Sequence, residues 1–120
     1  MYKRSAWLVI FFGLYLAMSQ TAQAAWYGTA CSWTKRKPIV ITGSTSGAKV
    51  SYQVQIAITY DSDMNADFSD IRFTDSDGES LIDHWRQAKT DSVSATYWVE
   101  VPDIPASPST VTIYMYYGNP

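Results

Sequence analysis

Apolar and polar residues alternate along much of the chain, and this alternation predicts β-strands. The longest alternating segment runs from Lys49 to Tyr60. Every second residue in it is apolar: Val50, Tyr52, Val54, Ile56, Ile58 and Tyr60. A period of two places these side chains on one face of a strand, whereas a helix would scatter them around its circumference. We therefore expect a strand with one face in a core.

Shorter segments of the same character follow, separated by turn residues such as Asp-Gly and Pro. They are residues 38–42, 71–74, 93–101 and 110–117, with 81–88 as a less regular candidate for a short helix or an irregular strand. Five or six short strands at this spacing are typical of an antiparallel sandwich or barrel. We expect an all-β fold, an antiparallel β-sandwich of the jelly-roll or immunoglobulin type, with no major helix.

The N-terminus has the three-part pattern of a secretory signal peptide. A basic start ending at Arg4 precedes a mostly apolar run over residues 6–17, and Ala22 and Ala24 supply the small residues of a cleavage site. The run is too short to cross a bilayer, which takes about 20 apolar residues. We expect residues 1–24 to be a signal peptide and 25–120 a single exported domain, periplasmic, on the cell surface or extracellular. An uncleaved anchor is the alternative.

The net charge limits the classes of binding partner, and the cysteine content limits covalent cross-links and lipidation. Without Lys3 and Arg4, seven basic residues face eleven acidic ones, a net charge of −4. This acidity argues against nucleic-acid or anionic-membrane binding, and we expect no membrane insertion of the mature chain. Cys31 is the one cysteine, so no intrachain disulfide forms. Because Gly28 stands where a lipobox has an apolar residue, a buried or unreacted thiol is favoured over lipidation.

Several motifs in a fixed order resemble a known family. They are WTKRKPI from Trp33, YQV from Tyr52, DFSDIRFTDSDGESLIDHW from Asp67, YWVEVPDIPA from Tyr97 and TIYMYYGNP from Thr112. Together they are similar to the domain of unknown function 2341, found in bacterial and archaeal surface proteins, over most of the chain after the signal. The most specific parts are RFTDSDG and the terminal YGNP.

The resemblance implies a secreted all-β module without catalytic residues. Members often precede a concanavalin-like or laminin-G-like lectin domain, and some are joined to membrane proteins of the proton-channel type related to biopolymer transport. The chain departs from the family where an acidic residue is expected soon after the tryptophan, since Arg86 and Gln87 stand there. A linker would begin after the YGNP ending, so we expect the front part of a longer protein.

Residues 70–85 crowd carboxylates among apolar side chains, and a turn explains them best. Asp-Gly is a strong hairpin signal, because glycine adopts positive φ freely and aspartate tolerates it. The residues with a structural role are then Arg72, Asp75, Asp77 and Gly78. We expect a chain reversal here, with the next strand starting near Glu79, and a bidentate pair between Arg72 and either Asp70 or Asp83.

Calcium binding is the second explanation of the acidic residues. Oxygen-bearing side chains recur at close intervals, as they do in a calcium loop. They are Asp61, Asp63, Asn65, Asp67 and Asp70. An EF-hand needs glycine at its sixth position and glutamate at its twelfth, where this chain has Ala66 and Arg72. Calcium is therefore a weak candidate, zinc has no supporting cluster of histidine and cysteine, and no cofactor is expected.

Catalysis is the third explanation. Asp83 and Glu100 are candidates for the carboxylate pair of a glycosidase, but any acidic chain offers such pairs. His84 is the one histidine, and no nucleophile elbow of the Gly-x-Ser-x-Gly kind accompanies it. We expect no enzymatic activity.

Aromatic residues occupy positions that the alternation assigns to the solvated face: Trp98, Tyr114 and Tyr116, with Trp85 as a fourth. Flat rings stack on sugars, and neighbouring polar side chains bond the hydroxyls. If the four line one open groove, the chain is a non-catalytic recognition or adhesion module with a glycan as the leading ligand. If they are buried, it is a structural spacer that supports a lectin-like neighbour or an envelope protein of the proton-channel type.

Overall fold

The computed structural model describes residues 26–28 and 33–119, which form six β-strands and no helix. The strands are β1 Lys35–Thr42, β2 Lys49–Thr59, β3 Arg72–Thr74, β4 His84–Thr90, β5 Ser94–Ile104 and β6 Thr110–Tyr117. The all-β prediction is confirmed. The irregular segment 81–88 is resolved in favour of a strand, which begins at His84. The predicted signal peptide, 1–24, and Cys31 lie outside the described residues.

The strands form two antiparallel sheets of three strands each, in the orders β1-β6-β3 and β2-β5-β4. The sheets pack face to face as a β-sandwich, in which β6 and β5 are the central strands. Among the described strands, β4 and β5 are the one consecutive pair that shares a ladder. Every other connection crosses between the sheets.

The core lies between the sheets and follows the predicted alternation along the central strands. Val99 and Val101 of β5 and Ile113 of β6 are fully buried. Phe73 of β3 is also fully buried, and its ring centroid lies 5.6 Å from that of Tyr97 in the opposite sheet. β3 pairs with β6 over Tyr114–Tyr116 and β4 pairs with β5 over Ser94–Val99, so both central strands are flanked on each side over part of their length.

β2 departs from the prediction. Ile58 is buried as expected, but Val50 is 75% exposed and Tyr52 is 52% exposed. β1 and β2 are edge strands on the same side of the sandwich, and the space between them is open to solvent. The alternation breaks at Ser51, which has φ of 49°: Val50 pairs with the exposed Asp103, whereas Lys49 pairs with the buried Ile104. Tyr52 keeps the predicted direction and is exposed because the edge of the sandwich is open there.

Residues 61–71 close one end of the sandwich. Met64 and Phe68 insert into the core from this loop, although the sequence pattern gave them no role. The Asp70 carboxylate, itself buried, fastens the loop by accepting hydrogen bonds from the amide of Asn65 at 3.1 Å and that of Gly118 at 2.8 Å. The loop is thereby tied to the chain directly after β6.

Candidate functional site

Two tryptophans lie side by side on the outer face of the β2-β5-β4 sheet. Trp85 of β4 is the direct cross-strand partner of Trp98 of β5. Their ring centroids are 6.2 Å apart and the ring planes differ by 18°. Trp85 is 50% exposed and Trp98 is partly exposed. The two rings are therefore stacked on each other, and half of the Trp85 side chain remains open to solvent.

A β-bulge fixes the orientation of Trp98. The register of β4 against β5 shifts between Arg86 and Ala88, which makes Gln87 an extra residue in the strand. The side-chain oxygen of Gln87 accepts hydrogen bonds from the Trp98 indole N–H at 2.6 Å and from the Gln55 amide at 3.3 Å. Gln87, one of the two residues at which an acid was expected, thus holds the ring edge by hydrogen bonds.

A depression of about 170 Å³ adjoins the tryptophans. Its lining residues are Gln53, Asp83, His84, Trp85, Trp98 and Glu100. The backbone amide of Glu100 donates to the carbonyl of Asp83 at 2.8 Å, which joins the two segments that carry the carboxylates. We call the outer-face residues Gln53, Asp83, Trp85, Gln87, Trp98 and Glu100 the tryptophan surface. Enclosed ligand sites are larger, about 300–1,000 Å³, so this surface suits contact with part of a ligand.

His84 faces the core more than the depression. Its ring lies edge-on to Phe73, at 5.3 Å between centroids, and 5.8 Å from the ring of Tyr97. Burial among these rings lowers the pKa of His84, and hence favours the neutral imidazole. Nδ1 lies 3.5 Å from the carbonyl oxygen of Ile82. These contacts indicate that His84 packs between the two sheets and has a structural role.

Tyr114 and Tyr116 do not join the tryptophans, because they belong to β6 in the other sheet. The four aromatic residues therefore do not line one groove. Tyr114 is partly buried beneath the guanidinium of Arg36, whose central carbon lies 4.5 Å from the ring centroid. A period of two predicts which side chains share one face of a strand. It does not predict the sheet to which the strand belongs, because that depends on pairing between distant segments.

Tyr116 is completely buried, against the expectation of a solvated ring. Aromatic residues from the N-terminal segment cover it, with ring centroids 5.5 Å away for Trp26 and 6.0 Å away for Trp33. Its hydroxyl donates to the carbonyl of Gly78 at 2.6 Å and accepts from the amide of Tyr27 at 3.0 Å. In the sequence, the feature that could have predicted this second cluster of buried rings is the group of aromatic residues before β1.

The turn in the acidic stretch is confirmed. The amide of Gly78, with φ of 77°, donates to the carbonyl of Asp75 at 3.0 Å. Asp77 accepts hydrogen bonds from the amides of Glu79 and Ser80, both at 2.9 Å, and from the Ser80 hydroxyl. The hydrogen bond from the Ser80 side chain, followed by those from the backbone, lowers the pKa of Asp77.

The segment after this turn corrects the hairpin prediction. No strand starts near Glu79; the returning chain makes one isolated bridge, between Thr74 and Leu81, before crossing to the other sheet as β4. The expected ion pair of Arg72 is also wrong. Arg72 donates to the carbonyls of Ser69 at 3.2 Å and Ile71 at 2.7 Å, and its guanidinium lies 6.0 Å from the ring of Trp33.

The calcium candidates are dispersed into separate local contacts. Asp61 accepts from the amide of Asp63 at 2.9 Å, and Asp67 accepts from that of Ser69 at 3.1 Å. The Asp63 carboxylate lies 3.8 Å from the ammonium of Lys35. Within residues 26–28 and 33–119, no group of three or more His, Cys, Asp or Glu is placed to hold a metal ion. Asp61 and Asp67 thus act as turn formers, and Asp63 forms an exposed ion pair.

The fold and the site define an antiparallel two-sheet β-sandwich with an aromatic patch on one outer face. The family model described as domain of unknown function (DUF2341) matches residues 67–120, a segment that includes β3 to β6 and both tryptophans of the tryptophan surface. The resemblance is confirmed over this segment. Searches of curated proteins and of solved structures found no match. In the described part of the chain, no helix has the length and apolarity to cross a membrane.

Proposed function

We propose that the chain is an exported, non-catalytic recognition module of a cell-surface or envelope protein, and that it binds carbohydrate on the tryptophan surface. The observation that carries the proposal is the pair Trp85 and Trp98, neighbours on two strands with one ring half exposed. Export rests on the N-terminal pattern that ends at Ala24.

The chemistry of the tryptophan surface suits sugars. The flat faces of indole rings pack against the C–H face of a pyranose, and polar groups at the rim bond the ring hydroxyls. Gln53 offers donors and an acceptor, whereas Asp83 and Glu100 offer acceptors. In this role the two carboxylates bind hydroxyl groups, and they need no deep cleft.

The proposal is tested with two substitutions and a matched control. Trp85→Ala and Trp98→Ala are each expected to weaken binding to the glycans that the wild-type protein retains on an array by about tenfold or more, because each removes an aromatic contact surface. Tyr52→Ala is the control, since Tyr52 is as exposed as Trp85, at 52% against 50%, but points to the other side of its sheet. Its binding is expected to equal that of the wild type.

Equal signals from wild type and both tryptophan variants would contradict the proposal. That result would favour the spacer, in which the domain supports a lectin-like neighbour or a proton-channel-type envelope protein and binds no glycan itself. Tyr114 and Tyr116 of the predicted aromatic groove lie in the other sheet, so the test rests on the two tryptophans.

A further inference from the structure

An apolar groove runs between β1 and β2, on the side of the sandwich where both sheets end. Two adjoining depressions of about 330 and 260 Å³ form it, and each is lined by residues of both strands. Ile39 and Ile41 contribute from β1, and Val54 and Ile56 contribute from β2. We call these four residues and the space between them the edge groove.

The two edge strands that border the edge groove differ in their capacity to pair. β1 carries Pro38, which has no N–H to donate to another strand, and charged neighbours at Arg36 and Lys37. β2 has eleven residues, with no proline and no charged residue after Lys49. Natural proteins protect long edge strands with proline, charge or backbone irregularities. From Tyr52 to Thr59, after the irregular Ser51 with φ of 49°, β2 has none of these.

Positive charges stand at both ends of the edge groove. The ammonium of Lys37 lies 5.7 Å from the ring centroid of the buried Tyr117, at the inner side of β1. Lys49 is paired with the buried Ile104 at the other end of β2. Residues 33–60, which contain both strands, include no Asp or Glu. Of the carboxylates near the two ends, Asp63 is paired with Lys35 at 3.8 Å and Asp103 lies opposite the exposed Val50. A ligand that fills the groove and carries acidic groups at its ends matches this arrangement.

We propose that the edge groove binds an extended segment of a partner polypeptide, which adds as a strand to the free edge of β2. Alternate apolar side chains of that segment enter the groove, and acidic residues at its ends meet Lys37 and Lys49. Strand addition combines main-chain hydrogen bonds for affinity with alternate side-chain positions for specificity. A segment of about nine residues spans roughly 30 Å, most of the roughly 36 Å that the eleven residues of β2 occupy.

A second copy of this chain is the less favourable occupant. Pairing two β2 strands across a two-fold axis would bring the same basic side of both copies together, because each carries Lys37 and Lys49 there. Like charges juxtaposed across an interface oppose association. An acidic partner segment relieves this repulsion.

The test uses two synthetic peptides and the ¹⁵N-labelled protein. The first peptide is Glu-Thr-Val-Thr-Val-Thr-Val-Thr-Glu, and the second has Lys at both ends in place of Glu. We expect the Glu-ended peptide to shift the backbone amide signals of β2 and of the β1 residues beside the groove. The Lys-ended peptide is expected to bind about three- to tenfold more weakly at low salt, because two charge contacts are reversed.

Variants of the protein distinguish specific binding in the edge groove from non-specific peptide binding. Val54→Glu places a charge in the edge groove and is expected to abolish binding, whereas Val40→Glu adds the same charge on the exposed outer face of β1 and leaves binding unchanged. Lys37→Glu combined with Lys49→Glu is expected to invert the preference toward the Lys-ended peptide. Trp85→Ala leaves peptide binding at the wild-type level, since the tryptophan surface is on another face.

Several results would overturn the proposal. They are equal affinity for both peptides, binding that survives Val54→Glu, and no binding by a Val40→Glu control that is folded. Slow exchange of the free-edge β2 amides in the monomer would show that another segment of the chain already covers them. Concentration-dependent self-association through β2 would identify a second copy as the occupant.

Discussion

Tyr116 shows how one hydroxyl joins three parts of the molecule. It lies on the central strand β6, bonds the turn at Gly78, and accepts hydrogen bonds from the amide of Tyr27 and from Arg36 of β1 at 3.1 Å. The ring is fully buried between the sheet and the N-terminal aromatic residues. The outer face of this sheet thus has a small core of its own.

Tyr116→Phe is expected to destabilise the protein by about 1–3 kcal/mol, because it keeps the ring but removes the hydrogen bond to the buried carbonyl of Gly78 and those from the part-buried Tyr27 amide and Arg36. Urea denaturation followed by circular dichroism measures the change in the free energy of unfolding. Tyr52→Phe removes a hydroxyl from a ring that is half exposed, and its effect is expected to stay within about 0.5 kcal/mol. Equal effects of the two substitutions would show that the Tyr116 hydroxyl has no special structural role.

At the scale of single strands, alternation predicts the faces of β5 and β6 correctly and overstates the burial of β2. The central strands are covered on both sides, whereas β2 ends its sheet. Trp85 and Trp98 were expected on one surface and are neighbours, but Tyr114 and Tyr116 were assigned to the same surface and lie in the other sheet. Periodicity is a local property, and sheet membership depends on pairing between segments far apart in the chain.

Gly43 allows the end of β1 to approach the segment before β6. Its amide donates to the carbonyl of Ser109 at 2.8 Å, and an added Cβ would meet the backbone of Ala106 at 2.8 Å. Gly43→Ala is therefore expected to lower the free energy of unfolding by about 1–3 kcal/mol, since two backbone segments must separate. Thr45→Ala, an exposed substitution in the same loop, is the control and should change stability by less than about 0.5 kcal/mol. A Gly43→Ala variant as stable as the control would exclude this close approach.

At the scale of the whole molecule, the two sheets depend on each other. Each has three strands and an inner face that the opposite sheet covers. Phe73 of β3 links them, because its ring lies within 5.3 Å of His84 and 5.6 Å of Tyr97, both in the other sheet. A small sheet that exposes its apolar face to water has little stability of its own. The proposed glycan surface and the edge groove therefore share one folding unit.

This dependence predicts that both sheets unfold in a single transition. Phe73→Ala removes a fully buried ring and is expected to cost about 3–5 kcal/mol. In protein labelled with 5-fluorotryptophan, the ¹⁹F signal of Trp33 reports on the β1-β6-β3 sheet and that of Trp98 reports on the β2-β5-β4 sheet. In the wild type, both signals should disappear at the same urea concentration. In Phe73→Ala they should again disappear together, at a lower urea concentration.

The exposed substitution Val40→Ala is the control for this experiment and should leave both midpoints in place. If the Trp98 signal persisted in Phe73→Ala at urea concentrations where that of Trp33 had gone, the sheets would be independent. The tryptophan surface would then rest on the β2-β5-β4 sheet alone. Coincident midpoints mean that a substitution in the core weakens ligand binding only by unfolding the whole sandwich. The loss of glycan binding in a folded Trp85→Ala variant can then be assigned to the surface itself.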